Sequence, residues 1–211
     1  MRQTTTGVIM DQKPRIDVIS DVICPWCWIG KRQMERALDM LDQGFTIHWR
    51  PYQLNPDMPT EGVERASYRA AKFGSVERGA ELDANVAAAG RAVGLEFRHD
   101  RMLRTPNTIL AHRLIRWAGE PIVEPLFQAY FQDGQDIGDH ATLAAIAASI
   151  GLDATEFLAS DEHEAEVRAE DAQFRRIGIN GVPSFAVNGQ VMFSGAYPAE
   201  HMAQIFGRKA A

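Results

Sequence analysis

Cys24 and Cys27 are the only cysteines in 211 residues, and they stand three apart in DVICPWCWIGKRQMERALDML. Two thiols cannot staple a chain of this length as a disulfide framework. At this spacing they can close a small disulfide ring, or supply two ligands to a metal. Disulfide exchange needs one thiol that attacks and a second that resolves the mixed disulfide. Structural zinc usually takes four Cys or His ligands. The six histidines (His48, His99, His112, His140, His163 and His201) are scattered, with no second close pair. Two inert core thiols are the remaining alternative, but inert thiols have no need of a helix start. Redox chemistry is therefore the leading reading.

The flanking residues say how the pair is positioned. Ile16-Asp17-Val18-Ile19 is a short β-branched run and predicts a buried strand. After Cys24 the spacing turns helical, with Cys27, Met34, Leu38 and Leu41 on one face. The dithiol thus lies where a strand gives way to a helix. Unpaired backbone N–H groups and the dipole at a helix start favour an anion. Such positions lower a cysteine pKa from about 8.5 to about 3.5–7.5. Pro25 suits the first helical turn, where a missing N–H costs little. Trp26 and Trp28 are expected to add apolar surface beside the reactive sulfur. Asp21, three residues before Cys24, is either a proton acceptor that tunes the thiol, a helix cap or a solvated side chain.

A second region reads as the other half of the site. Residues 161–177, DEHEAEVRAEDAQFRRI, predict a solvated acidic helix. Asp161 and Glu164 would form a capping box, Val167, Phe174 and Ile177 would face inward, and Gly178 would stop it. In GINGVPSFAVNGQVMFSGAYP, two short strands, Phe185–Val187 and Gln190–Phe193, flank Asn188-Gly189, a strong hairpin signal. Pro183 precedes the first strand, where proline is tolerated, and Pro198 opens a last helix carrying Met202, Ile205 and Phe206. Between the strand 45–49 and the acidic helix, about a hundred residues read almost wholly as helix, over 84–93, 108–118, 121–131 and 141–150. That segment either buries its own core as a cap or shapes a substrate cleft.

CPWC after a strand, followed much later by Gly-Val-Pro-Ser-Phe and a hairpin, resembles the thioredoxin fold. The helical insertion is similar to that of the DsbA superfamily. SDVICPWCWIGKRQMERAL, WRPYQLNPDMPTEG, TPNTILAHRLIRWA and GINGVPSFAVNG look like its FrnE-like branch. The resemblance implies an α/β thioredoxin-like fold with a central mixed sheet and a large all-helical insertion. The thioredoxin-like part would comprise residues 14–60 and 155–211, with the inserted domain at 61–154. It implies Cys24 as nucleophile, Cys27 as resolving thiol and Pro183 as a cis-proline. Val182 would offer its backbone to an incoming peptide, with Pro25 and Trp26 completing the substrate contacts. Kappa-class glutathione transferases and 2-hydroxychromene-2-carboxylate isomerases share the fold, but typically carry serine at the position of Cys24.

Composition limits the alternatives. Twenty-two Lys and Arg against 28 Asp and Glu give a net charge of −6, whereas nucleic-acid binding rests on phosphate neutralisation. The arginines between 61 and 116 alternate with acids and read as a solvated surface. No apolar run reaches the roughly 18–20 residues of a membrane helix. Val8-Ile9-Met10 is too short for the roughly 7–15-residue centre of a secretory signal, so the expectation is a cytoplasmic protein. No GxGxxG follows the first strand and no P-loop is present. His48, on a strand, and His112, on a helix, are expected to be packed or exposed rather than catalytic.

The expected function is thiol–disulfide exchange on protein or peptide thiols, with no cofactor beyond the Cys24–Cys27 disulfide and no metal. Glutathione is a possible co-substrate, and the expected state is monomer or homodimer. A glutathione-dependent transferase or isomerase, and a non-enzymatic polypeptide-binding module, are the competing readings.

Overall fold

The computed structural model describes residues 13–210; Val8-Ile9-Met10 lie outside them. Strand β1 (Arg15–Ser20) is buried at every position after Arg15, because it is paired on both sides. It runs parallel to β2 (Thr46–Pro51) and antiparallel to β5 (Ser184–Val187). β5 turns back into β6 (Gln190–Ser194), giving a mixed sheet of order β2-β1-β5-β6. Asn188 and Gly189 sit at φ 48° and 82°, the left-handed pair that a two-residue hairpin turn requires.

Side chains alternate across a strand, so β1 feeds two layers. Ile16 and Val18 pack with Met34 of α1 (Pro25–Asp39) and with Met202 and Phe206 of α9 (Ala199–Ala210). Ile19 points the other way, to Tyr52, Ile179 and Phe174 of α8 (Glu164–Arg176).

Between β2 and α8 come β3 (Val63–Glu64), α2 (Arg65–Phe73), α3 (Val76–Ala92) and β4 (Arg104–Thr105). They are followed by α4 (Ile109–Ala118), a 3₁₀ turn over Glu120–Ile122, α5 (Val123–Phe131), α6 (His140–Ser149) and α7 (Thr155–Ala159). The segment is not all helix: β3 and β4 pair antiparallel, Val63 opposite Thr105. Two-residue strands are too short to show an alternating pattern.

Two readings of the sequence need correction. Trp28 does not add surface; it is 1% exposed and lies among Phe97, Phe127 and Phe131, with ring centroids 5.2, 6.2 and 5.9 Å away. Its Nε1 donates to Glu124 at 3.2 Å. One residue around the helix from Cys27, it faces the inserted helices rather than solvent.

The acidic helix starts later than expected, at Glu164, with His163 at its N-cap in the left-handed region. Asp161 therefore lies outside it and no capping box forms. Ile177 is exposed, because the chain turns at Gly178 (φ 91°) and Ile179 takes the inward place. Glu170 and Asp171 are buried. Glu170 pairs with Arg50 and Arg116, and Asp171 accepts the Gln53 N–H at 2.8 Å. Helical spacing shows which face is apolar, but not which acids find cations on neighbouring elements.

Candidate active site

The turn between β1 and α1 is built by short backbone bonds. The Cys24 N–H donates to the Asp21 carbonyl and the Cys27 N–H to the Cys24 carbonyl, each at 3.0 Å. Cys24 is the N-cap of α1 and Pro25 occupies the first turn. The Cys24 side chain makes no cap bond. Its thiol donates instead to the Val182 carbonyl, 158 residues away in sequence, at 3.5 Å. Both cysteines are free thiols.

Cys27 is fully buried one turn behind. Burial pushes its thiol well above the usual value, the neighbouring Cys24 adds to the rise, and the Ser20 hydroxyl and the Asp21 backbone offset part of it. A charged sulfur without water is costly, so burial favours the neutral thiol at Cys27.

The Val182–Pro183 peptide is cis. The Pro183 carbonyl accepts the Gly195 N–H at 2.7 Å, tying the segment to the end of β6. Its ring rests on α1 at Gly30, where an added Cβ would lie 2.8 Å from Pro183 Cγ. A proline ring does not swing away like the end of a long side chain. Gly30→Ala is therefore expected to push α1 and the Val182–Pro183 segment apart and to cost about 1–3 kcal/mol. Urea unfolding of the variant measures this; unchanged stability would mean that the two elements do not touch.

A cleft of about 430 Å³ opens onto Cys24, with Pro25, Trp26 and Val182 beside it. Trp26 is 42% exposed and forms part of the rim. The far wall is α2, whose Arg65, Tyr68, Arg69 and Lys72 face the cleft. Arg65 and Arg69 are not part of a solvated surface, since both are largely buried and share Asp83 at 3.0 and 2.7 Å. Lys72 lies over the Tyr68 ring and donates to Asn55 at 3.0 Å. His99, on the same wall, is shifted down by burial against the pull of Asp83. The spacing 65, 69 and 72 follows one helical face, and this signal was available in the sequence.

Asp21 neither caps the helix nor meets water. It is fully buried, and its carboxylate accepts the Leu54 N–H at 2.7 Å and the Ile23 N–H at 3.5 Å. His112 Nε2 lies 3.4 Å from Asp21 Oδ1. His112 is buried on α4, whereas His48 is exposed on the edge strand β2. The structure thus gathers Cys24, Cys27, Pro25, Trp26 and Val182 at one place, puts Pro183 beside α1 and leaves His48 apart. Among the described residues no group of three or more His, Cys, Asp or Glu could hold a metal ion. No helix there is long and apolar enough to cross a membrane.

Comparison with known proteins follows the same lines. The chain is similar to the uncharacterized protein YwbO of Bacillus subtilis, 26% identical over 186 residues, or 84% of this chain and 88% of that one. Among solved structures it resembles the probable DsbA oxidoreductase SCO1869 of Streptomyces coelicolor, with 30% identity, 93% and 89% of the two chains covered and a TM-score of 0.84. The cytosolic disulfide reductase DsbM of Pseudomonas aeruginosa, solved with GSH, shares the fold at 16% identity, with 93% and 96% covered and a TM-score of 0.60. The model of the DSBA-like thioredoxin domain matches residues 15–207, nearly the whole length, and to that family the chain belongs.

Proposed function

We propose that this protein is a thiol–disulfide oxidoreductase that acts on protein or peptide thiols through a Cys24 mixed disulfide. The observation that carries the reading is the placement of Cys24. Its sulfur stands at a helix start, 3.5 Å from the Val182 carbonyl, with Cys27 one turn behind and a cleft in front. Family membership supports the same chemistry.

In the reducing direction, Cys24 attacks a substrate disulfide and one substrate sulfur departs as a thiolate. Cys27 then attacks Cys24, forming the Cys24–Cys27 bond and releasing the second substrate thiol. In the oxidising direction the same bonds form and break in reverse, and Cys27 leaves and takes up a proton. The Val182 backbone would hold the extended substrate beside Cys24, with Pro25 and Trp26 as its apolar contacts.

The cationic wall of α2 favours a second substrate. A small thiol bearing carboxylates, such as glutathione, fits beside Arg65, Arg69 and Lys72, where Asp83 offsets only part of the positive charge. Glutathione would then serve as co-substrate and recycle the dithiol.

The test is the equilibrium reduction potential of the pair in glutathione buffers, read by alkylation and mass spectrometry. A value of about −120 to −200 mV is expected for an oxidase or isomerase, and about −270 mV for a reductase. If no Cys24–Cys27 disulfide forms at any poise, the dithiol mechanism fails and a glutathione-dependent transferase or isomerase takes its place.

A further inference from the structure

Three permanent cations, Arg65, Arg69 and Lys72, line the cleft in front of Cys24, against a single carboxylate among the described lining residues, Asp83. That carboxylate is already committed. Arg65 Nη2 donates to both of its oxygens at 3.1 and 3.0 Å, and Arg69 Nη2 lies 2.7 Å from Oδ1. His99, on the same wall, places Nε2 3.8 Å from that Oδ1, too far for a hydrogen bond. The side chains of Arg65, Arg69, Asp83 and His99 are only 13–17% exposed, so solvent screens their charges weakly.

The imidazole is fixed in this position by its neighbours. It stacks on Phe97 with centroids 5.6 Å apart, and Phe97 meets the rings of Trp28 and Phe131 at 5.2 and 5.1 Å. Phe97 has no room to retreat toward α3, where a Cβ added to Gly90 would lie 2.5 Å from its ring. Any aromatic side chain would serve for stacking. What imidazole adds is a proton gained and lost near neutral pH.

The groups around His99 pull in opposite directions. Arg65 and Arg69 from α2 oppose a charge on it, and Asp83 from α3 favours one. Asp100, on its own segment, also favours the charge but is bound by Arg98. Tyr130 of α5 lines the same cleft and is pushed far up by burial, so it stays neutral. Tyr68 of α2 donates its hydroxyl to Asn55 at 2.7 Å. In the empty cleft, burial and the two guanidiniums outweigh the carboxylates, and His99 is shifted down. An anion entering the cleft reverses that balance, since an opposite charge within about 4–6 Å favours the charged form by about 1–3 pKa units.

We propose that His99 takes up a proton when a carboxylate docks against Arg65 and Arg69, and thereby sets the pH at which the cleft holds an anionic substrate. The inference rests on the cleft being a substrate site, as proposed above. The carboxylate belongs either to a small thiol such as glutathione or to an acidic segment of a client peptide. At high pH the ligand binds beside a neutral imidazole. As the pH falls, the proton adds an attraction that the empty cleft does not yet hold. At still lower pH His99 is charged before the ligand arrives, and the gain levels off. His99 is thus a specificity-determining residue and takes no part in the sulfur exchange.

S-methylglutathione carries the carboxylates of glutathione without its thiol, so its binding is read free of exchange. Titration calorimetry on the Cys24→Ser chain keeps that thiol's own titration out of the profile, and two buffers of unlike ionisation enthalpy count the protons taken up. Affinity is expected to rise about tenfold from about pH 8 to about pH 5.5, with net proton uptake on binding. His99→Phe, which keeps the stack, and His99→Gln are expected to lose both the rise and the uptake. A merely structural role would weaken binding equally at every pH. A flat wild-type profile without uptake overturns the linkage but leaves the cleft as a binding site. A profile that persists in both variants assigns the proton elsewhere and also overturns it. An acidic peptide without cysteine that binds with proton uptake, where S-methylglutathione does not bind, supports the linkage and assigns the carboxylate to the client. Binding of neither overturns the substrate site and the linkage together. If the variants do not fold, NMR titration of the wild type decides, because His99 is the one histidine among the described residues lining the cleft. An imidazole that titrates at higher pH with ligand bound supports the linkage, and none that does so overturns it.

Discussion

The Cys24→Ser variant is expected to lose disulfide exchange down to the rate of buffer alone, while Cys27→Ser keeps the first step and accumulates a mixed disulfide. The two sulfurs are close in sequence but unlike in setting. Cys24 borders a cleft of about 430 Å³ and Cys27 is fully buried behind it. A hydroxyl at position 24 cannot form the sulfur–sulfur bond, and Cys27 cannot reach a substrate through the packing. A hydroxyl at position 27 removes only the resolving group, so the adduct on Cys24 should persist. Mass spectrometry after incubation with a model disulfide counts it as one adduct per chain. Full glutathione-dependent turnover in Cys27→Ser would sink the dithiol mechanism and favour a transferase or isomerase.

The second large effect is on stability. Trp28→Ala is expected to cost about 3–5 kcal/mol, a large share of the roughly 5–15 kcal/mol that holds a domain together. Trp28 packs among Phe97, Phe127 and Phe131 and gives its N–H to Glu124. Alanine would leave a cavity ringed by three stiff aromatics that cannot collapse into it. Trp28→Phe should keep most of the packing and lose the hydrogen bond, at a cost nearer 1 kcal/mol. Urea unfolding of both variants measures the difference. A loss below about 1 kcal/mol for the alanine would mean that α1 and the inserted helices are not joined through this residue.

Local pattern made much of the site legible. The β-branched run before Cys24, the proline after it and the change to helical spacing place a dithiol at a strand-to-helix turn, where the structure has it. Asn188-Gly189 marks its hairpin equally well, because left-handed backbone is a local demand that few residues meet. Partners brought together by tertiary packing were not legible. Nothing near Trp28 in sequence says that three phenylalanines from 97 to 131 will enclose it. Nor does the acidic run at 161–171 reveal that Glu170 and Asp171 turn inward to cations and to the Gln53 N–H. Asp21 was singled out by its distance from Cys24, but its contact with His112 spans 91 positions and belongs to the fold alone. Arg65, Arg69 and Lys72 fall between these cases. Their common face was readable, whereas the cleft that it borders was not.

The bond between the Cys24 thiol and the Val182 carbonyl also sets a timetable. A ribosome adds about 5–20 residues per second, so the 158 positions between the two take about 8–30 s to make. Throughout that interval the growing chain already carries its CPWC turn, while the backbone proposed to hold a substrate against it has yet to be synthesised. Exchange competence thus arrives late in translation, and a nascent chain stalled before β5 would bear the reactive pair without the means to direct it.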